Sequence, residues 1–163
     1  LGCGPGNITR YLQNARLDFK ILGTDIAPNM VQLARKNVPT ATFEEMDARD
    51  IGKLNQSFDG IVCGFCLPFL SALETDQFIA DSSSLLKDKG VIYLSFVAGD
   101  GSLSGYKKGS SGDRIYFHHH PLESILSSLK NAGFENLVVT HVEFSKTEKG
   151  TDVHTIIIGN KSE

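Results

Sequence analysis

At 163 residues, with 40% hydrophobic and 21% charged residues, the chain has the size and composition of one folded domain, which excludes wholesale disorder. Its 16 basic and 19 acidic residues leave a formal charge of −3 with no concentrated basic stripe, so its charge predicts no nucleic-acid partner. No apolar run approaches the roughly 20 residues that span a bilayer, and three cysteines are too few for a disulfide scaffold, so we expect a cytoplasmic protein.

Short apolar runs alternate with helical periodicity along the chain. In the first helix, Ile8, Tyr11 and Leu12 recur at helical spacing and predict one buried face. Pro28 suits the first turn of the second helix, and Gly90 is placed to end the third. The predicted helices cover 6–16, 30–37, 75–88 and the segment from Pro121 to Gly133, and the predicted strands cover 20–24, 41–46, 58–64, 91–97, 137–144 and 153–158.

This alternation predicts an α/β fold with a doubly wound, mostly parallel sheet, forming a single domain over residues 1–163. The last two strands are joined by the short polar segment 145–152, so we expect them to form a C-terminal antiparallel hairpin. Residues 98–113, with five glycines and four serines, fit no helix or strand. We interpret them as a mobile segment near the mouth of a ligand site, because connections of this length are usually functional or disordered.

The chain opens with Gly2, Gly4 and Gly6 directly before the first helix. Glycines let a backbone bend sharply and approach a ligand, and the free N–H groups at a helix start favour an anionic group. The spacing is Gly-x-Gly-x-Gly, not the Gly-x-Gly-x-x-Gly of dinucleotide-binding proteins. A tight strand–helix turn without a ligand is the alternative.

Asp25 lies 19 residues after Gly6, at the predicted end of the next strand. A carboxylate at this position can accept hydrogen bonds from both hydroxyls of a ribose, and it would repel a 2′-phosphate. The alternative is a solvated carboxylate at a strand end.

Five segments in this order resemble the class I S-adenosylmethionine-dependent methyltransferases. They are Leu-Gly-Cys-Gly-Pro-Gly (1–6), Gly-Thr-Asp-Ile-Ala-Pro-Asn-Met (23–30), Met-Asp-Ala (46–48), Phe-Asp-Gly-Ile-Val-Cys (58–63) and Leu-Leu-Lys-Asp-Lys-Gly-Val-Ile-Tyr-Leu (85–94). By pattern, the chain looks like the small-molecule branch that includes quinone-biosynthesis methyltransferases. The resemblance implies a Rossmann-like sheet and S-adenosylmethionine as the cofactor.

The resemblance also assigns the cofactor contacts. They are Gly2, Gly4 and Gly6 along the methionine and ribose, Asp25 on the ribose hydroxyls, Ile26 and Met30 on the adenine face, Asp47 and Ala48 on the adenine edge, and the backbone of Gly64 and Phe65 at the methionine ammonium. On periodicity alone, Met30 also fits a plain core position of its helix.

The sequence departs from the family pattern in three places. The acidic residue and the strand that usually precede Leu1 are absent, and without that strand the centre of the sheet would be left unpaired, so we expect the native protein to continue before Leu1. Ala27 replaces a helix-capping serine, a change that should cost about 1 kcal/mol. Pro68 and Phe69 stand where many relatives carry a histidine, so no catalytic base carries over there.

Two further clusters contain residues that could form a chemical site. Cys63 and Cys66 have redox-pair spacing, but they end an apolar strand, which favours buried, inert thiols, and no second pair is present to complete a zinc site. The histidines 118–120 would point alternately on a strand, so they cannot all face one metal, and we expect no metal site. His119 is our first candidate for a general base, if one is needed.

The main hypothesis is methyl transfer to an O, N or C nucleophile of a small molecule. The expected apolar acceptor pocket consists of Phe65, Phe69, Tyr106, Tyr116 and Phe117. An NAD-linked oxidoreductase, which the glycine spacing disfavours, and a non-catalytic methyltransferase-like scaffold are the alternatives. No Asp/Asn-Pro-Pro-Tyr motif occurs, so methylation of adenine or of glutamine amides is not expected, and no Pro-Cys occurs, which disfavours attack by cytosine C5. The oligomeric state is not assigned.

Overall fold

The computed structural model describes residues 1–108, 112, 114–146 and 150–163, in two compact units, Leu1–Leu54 and Asn55–Glu163. The helices are α1 (Asn7–Ala15), α2 (Pro28–Asn37), α3 (Ala72–Leu85) and α4 (Leu122–Asn131). The strands are β1 (Leu22–Asp25), β2 (Thr42–Glu45), β3 (Phe58–Gly64), β4 (Leu86–Phe96), β5 (Gly105–Lys108), β6 (Arg114–Phe117), β7 (Phe134–Lys146) and β8 (Gly150–Lys161). Within the described ranges, no helix has the length and apolar character needed to cross a membrane.

The first unit is built on the parallel pair β1–β2, with α2 packed on it. Its core is a small cluster in which α2 contributes Val31 and Ala34, while Val38 and Phe43 follow the helix. Pro28 occupies the first turn of α2, as its position in the sequence predicts. Ala27 stands at the N-cap with no side-chain hydrogen bond, so the departure from the family pattern removes that cap.

The buried face predicted for α1 is wrong. Tyr11 is 74% exposed and Ile8 is also exposed, whereas the buried residues of α1 are Thr9 and Gln13. The amide of Gln13 donates hydrogen bonds to the carbonyl oxygens of Leu17 and Phe19, at 3.3 and 3.4 Å. The burial of its amide nitrogen is therefore compensated by bonds to the chain that leaves the helix, which the periodicity of apolar residues does not reveal.

The second unit contains a four-stranded sheet in the order β3-β4-β8-β7. β3 and β4 are parallel, while β8 runs antiparallel to both β4 and β7, so the predicted C-terminal hairpin is confirmed. Helices α3 and α4 bury apolar stripes that include Phe78, Ile79, Ile125 and Leu129. Gly133, with φ 84°, follows α4 as expected for a helix C-terminus.

The bounds predicted for the third helix, 75–88 with a stop at Gly90, are wrong. A capping box starts α3 earlier: Ser71 Oγ accepts from Glu74 N at 3.3 Å, and Glu74 accepts from Ser71 N at 2.7 Å. The chain leaves the helix at Leu86, which pairs with Phe58 and begins β4. Gly90 therefore lies inside the strand, where a Cβ would approach the carbonyl oxygen of Lys87 to 2.8 Å.

Residues 98–113 are not devoid of regular structure, contrary to the prediction. A 3-10 helix covers Gly101–Leu103, and β5 pairs antiparallel with β6, bringing Tyr106 opposite Tyr116. Residues 109–111 and 113 lie outside the described residues, and the expected mobility of this segment stays a prediction.

Candidate functional site

The glycine turn before α1 has left-handed backbone at three positions. Gly2, Gly4 and Gly6 have φ values of 63°, 51° and 87°, a region that side-chain-bearing residues rarely adopt. The turn is held by Cys3 N, which donates to the carbonyl oxygen of Thr24 at 2.9 Å, and by Gly6 N, which donates to that of Cys3 at 3.0 Å. The turn is thereby tied to the end of β1.

Two of these glycines are needed for different reasons. A Cβ on Gly6 would lie 3.3 Å from both Ala34 Cα and Val38 Cγ2, so Gly6 lets the start of α1 approach α2 closely. A Cβ on Gly4 would meet nothing within 4 Å. Gly4 therefore borders open space, where a ligand could approach the backbone.

Asp25 is fixed by the same turn. Its Oδ2 accepts from Gly4 N at 2.8 Å, and its Oδ1 accepts from Ala27 N at 2.9 Å. Each carboxylate oxygen has two lone-pair sites, so each can still accept one further bond. Asp25 thus has a fixed orientation and the remaining capacity to accept two further hydrogen bonds.

The carboxylate of Asp25 also affects the thiol of Cys3, which lies in the glycine turn. Burial raises the pKa of the Cys3 thiol, and the nearby Asp25 carboxylate raises it further.

Apolar and polar groups predicted for an adenine lie near the ends of β1 and β2. Ile26 is 61% exposed, and Met30 is half-buried beside the core position Val31, so Met30 does not belong to the buried stripe of α2. Met46 N donates to the carbonyl oxygen of Asp25 at 3.0 Å, which places the chain leading to Asp47 beside the end of β1.

Asp47 already has bonds within its own segment. Its Oδ1 accepts from Arg49 N at 3.0 Å, capping the 3-10 helix Ala48–Lys53, and its Oδ2 pairs with Arg49 Nη1 at 2.8 Å. Arg49 was missed by the sequence reasoning. Ala48 is the first residue of that helix, so its N–H has no partner within the helix and suits an external acceptor.

Gly64 and Phe65 lie at the carboxyl end of β3. Phe65 has φ 62°, an uncommon conformation for a residue with a side chain. Its N–H donates to the Ser95 backbone oxygen and Oγ, at 3.0 and 3.1 Å. Ser95, which sequence reasoning did not identify, therefore fixes the backbone at Phe65. Because the Phe65 N–H is already bonded, the carbonyl oxygens of this segment are the groups that could accept from an ammonium group.

The five aromatic residues predicted for an acceptor pocket form two groups. Phe117 has its ring centroid 6.2 Å from those of both Phe65 and Phe69, and we call these three rings the Phe wall. Tyr106 and Tyr116 contact each other at 5.2 Å as a directly opposed pair of β5 and β6. Because neighbouring strand residues face opposite sides, the tyrosine pair and Phe117 lie on opposite faces of this hairpin.

The three adjacent histidines are held in different ways. His118 N donates to the carbonyl oxygen of Pro68 at 2.8 Å, and His119 N donates to Ser104 Oγ at 2.9 Å. His120 is buried, with Nε2 3.0 Å from the carbonyl oxygen of Leu67. The described ranges contain no group of three or more His, Cys, Asp or Glu residues that could hold a metal ion.

Sequence reasoning missed two neighbours of the Phe wall, and also a glycine that packs against His119. Lys107 Nζ lies 3.8 Å from the Phe117 ring centroid and 3.3 Å from His119 Nε2. His154 stacks on Phe65 at 5.1 Å. Gly99 leaves room for the imidazole of His119, since a Cβ there would lie 2.7 Å from Nδ1. Strand alternation in 114–119 could have placed Phe117 and His119 on one face, but no local signal identifies Gly99 or His154.

The Cys63 thiol does not have the character of a redox centre. A hydrogen bond with Cys66, together with complete burial, raises the pKa of Cys63 well above its ordinary value. A reactive thiol needs a lowered pKa and solvent access.

Comparison with known proteins assigns a family to this arrangement. A family model described as "Methyltransferase domain" matches residues 1–90. The chain is 31% identical over 94 residues to a putative methyltransferase, 235L, of Invertebrate iridescent virus 6, covering 58% of this chain and 34% of that protein. It is 34% identical over 94 residues to trans-aconitate 2-methyltransferase of Variovorax paradoxus, covering 58% and 36% of the two chains. The chain therefore spans about a third of the length of these curated relatives.

A solved structure extends the similarity to the whole fold. The crystal structure of an S-adenosylmethionine-dependent methyltransferase from Methanosarcina mazei matches with a TM-score of 0.82 at 19% identity, covering 99% of this chain and 90% of the other. The α/β Rossmann-like fold predicted from the sequence is thereby confirmed. The single domain over 1–163 and the expected continuation before Leu1 stay predictions.

Proposed function

We propose that this chain, which belongs to the methyltransferase-domain family of class I S-adenosylmethionine-dependent methyltransferases, transfers a methyl group from S-adenosylmethionine to a small-molecule acceptor. The observation that carries this proposal is the Asp25 carboxylate, held by Gly4 N and Ala27 N at 2.8 and 2.9 Å with one acceptor site left on each oxygen. Such a group suits the two hydroxyls of an unphosphorylated ribose.

The other residues of the first unit fit an adenosine around that contact. The open space beside Gly4 leaves room for the ligand next to the turn. A side chain at this position would occupy that space. Ile26 and Met30 offer apolar surface to an adenine face. Asp47 and the first N–H of the 3-10 helix, at Ala48, suit its edge, with Arg49 holding the carboxylate in place.

The roles of the second unit are proposed on the same basis. The backbone of Gly64 and Phe65, fixed through Ser95, would accept from the methionine ammonium. The Phe wall would contact an apolar acceptor, because its Phe69 ring is 44% exposed. Tyr106 and Tyr116 stay predictions as acceptor contacts, since they lie on the other face of the hairpin.

The chemistry asked of the chain is mainly alignment. Bound S-adenosylmethionine supplies an electrophilic methyl group, so the protein needs to hold the acceptor at near-attack distance and exclude water. His119 stays a prediction as a general base, because Lys107 lies against its Nε2 in the structure.

The test is calorimetric binding of S-adenosylhomocysteine to the wild-type protein and two variants. Asp25→Ala should weaken binding by roughly two powers of ten or more, because it removes two charge-assisted hydrogen bonds that are worth about 1.5–3 kcal/mol each. The control is Asp18→Asn, which changes an exposed carboxylate of the same unit that pairs with Arg16, and should leave affinity unchanged.

Thermal melting separates a binding defect from unfolding, since Asp25→Ala also removes two acceptors of backbone N–H bonds. Asp25→Asn, which keeps one acceptor oxygen, should lose less affinity than the alanine variant. Equal affinity of the wild-type protein and a folded Asp25→Ala variant would contradict the proposal. Binding that is retained without methylated product from a broad acceptor panel would favour the non-catalytic scaffold.

A further inference from the structure

The ammonium group of Lys107 lies beside the Phe wall, in contact with an aromatic ring and with an imidazole nitrogen. Lys107 Nζ lies 3.8 Å above the Phe117 ring and 3.3 Å from His119 Nε2. Among the residues that the structure describes, no carboxylate forms an ion pair with Lys107. Lys53 and Lys87, in contrast, each pair with an aspartate, at 2.8 and 2.7 Å.

The position of this ammonium is fixed by separate parts of the second unit. The register of β5 and β6 places Lys107 and Phe117 on the same face of the hairpin. Phe117 contacts Phe65, after β3, and Phe69, in the 3-10 helix Leu67–Phe69. The backbone N–H of His119 donates to Ser104 Oγ, and the imidazole of His119 packs against Gly99.

Lys107 still has donors to offer a ligand. An ammonium has three N–H groups, and the contact with His119 Nε2 uses one of them. The ring of Phe117 attracts the positive charge without neutralising it. The result is an aromatic surface with a positioned cation at its side, and in the part of the chain that the structure describes no carboxylate is paired with that cation.

We propose that the Phe wall and Lys107 select a planar acceptor that carries a carboxylate, whose rings or double bonds lie on the phenyl groups and whose charge pairs with Lys107. This inference rests on the proposed function for the acceptor's role, but its binding chemistry can be tested alone. Lys107 acts as a specificity-determining residue, and a positively charged acceptor is disfavoured at this surface.

The hairpin itself supplies a matched control. Lys108 follows Lys107 in β5, faces the other side of the hairpin and lies opposite Arg114. Lys107→Met and Lys108→Met remove the same charge, so they have the same effect on the net charge of the protein. Only Lys107→Met removes the cation from the Phe wall.

The experiment measures binding of benzoate, benzamide and benzylammonium by titration under NMR observation. The wild-type protein and Lys108→Met should bind benzoate about five- to tenfold more tightly than benzamide, and benzylammonium most weakly. Lys107→Met should bind benzoate and benzamide equally. Phe117→Leu should weaken both by a similar factor, because it removes ring contact and leaves the charge.

Melting curves establish that each variant is folded, and calorimetry with S-adenosylhomocysteine is run on the same samples. Two results would overturn this inference: equal binding of benzoate and benzamide by the wild-type protein, or an equal loss of the preference for benzoate in Lys107→Met and Lys108→Met. If those results came with normal S-adenosylhomocysteine binding, the proposed function would stand without it. Selectivity that depends on Lys107 in a protein with no cofactor binding would support the anion site and contradict the proposed function.

Discussion

The glycine turn of the first unit and the Phe wall of the second are built in different ways. The turn uses left-handed backbone at alternate positions, with Asp25 bonded to the N–H groups of Gly4 and Ala27. The Phe wall uses side chains from separate segments, of which Phe65 and Phe117 are 52 positions apart in the numbering. A site made from backbone leaves glycines in the sequence, whereas a site made from distant side chains leaves no local pattern.

The largest effect should come from changing Gly6, which is packed against α2, and a lesser effect on stability should come from changing Gly4, which borders open space. Gly6→Ala adds a methyl 3.3 Å from Ala34 Cα at a left-handed position, so it should lower the free energy of unfolding by about 2–5 kcal/mol. Gly4→Ala has only the left-handed penalty of about 1–2 kcal/mol, since nothing lies within 4 Å. Urea denaturation measures both.

The order of the two variants should be reversed for cofactor affinity: Gly4→Ala, the more stable variant, should lose more affinity than Gly6→Ala. Gly4→Ala, when folded, should weaken S-adenosylhomocysteine about tenfold or more, because its methyl enters the space proposed for the ligand. Normal affinity in Gly4→Ala would show that this space is not used by the cofactor.

A smaller effect is expected at Gly99, the glycine that packs against His119 beside the Phe wall. Gly99→Ala would place a methyl 2.7 Å from Nδ1 of His119 and should push the imidazole away from Lys107. We expect the preference for benzoate over benzamide to fall about two- to threefold, as for a weakened surface contact, with unchanged S-adenosylhomocysteine binding. Gly101→Ala, where nothing lies within 4 Å, is the control.

An effect on stability alone, visible only at alkaline pH, concerns the buried thiol of Cys63, whose pKa is raised above the ordinary value of 9.0. The unfolded thiol ionises near that value while the folded thiol stays protonated, so unfolding releases a proton. Stability from this group is full below about pH 9 and falls as pH rises, by up to about 1.4 kcal/mol per pH unit. Urea midpoints at pH 8 and 10 should show a steeper loss in the wild-type protein than in Cys63→Ala, and equal slopes would contradict this assignment.

The sequence predicted secondary structure best where local residue types alone determine the bounds of an element. Phe58–Gly64 was predicted with the bounds that β3 shows, because an apolar run ends there in a glycine. The buried face of α1 was not predictable from apolar spacing, since Gln13 is buried through its hydrogen bonds to Leu17 and Phe19. The start of α3 could have been predicted, because Ser71 and Glu74 have capping-box spacing.

The candidate site shows the same division. Asp25 and the glycines were identified from their spacing, and the structure brings Asp25 and Gly4 within hydrogen-bond distance. Lys107 could not be distinguished from Lys108 in the sequence, because only the register of β5 and β6 decides which lysine faces Phe117. Strand register of a short hairpin depends on tertiary pairing that one sequence does not reveal.

The most direct measurement of the central claim is a thermodynamic cycle between Asp25 and the ribose hydroxyls. S-adenosylhomocysteine and its 2′-deoxy and 3′-deoxy analogues are titrated calorimetrically into the wild-type protein and Asp25→Ala. The account predicts that each missing hydroxyl weakens binding to the wild-type protein about tenfold and has little effect on the variant. Equal losses in both proteins would show that Asp25 does not hold the ribose, and the proposed cofactor site would be wrong.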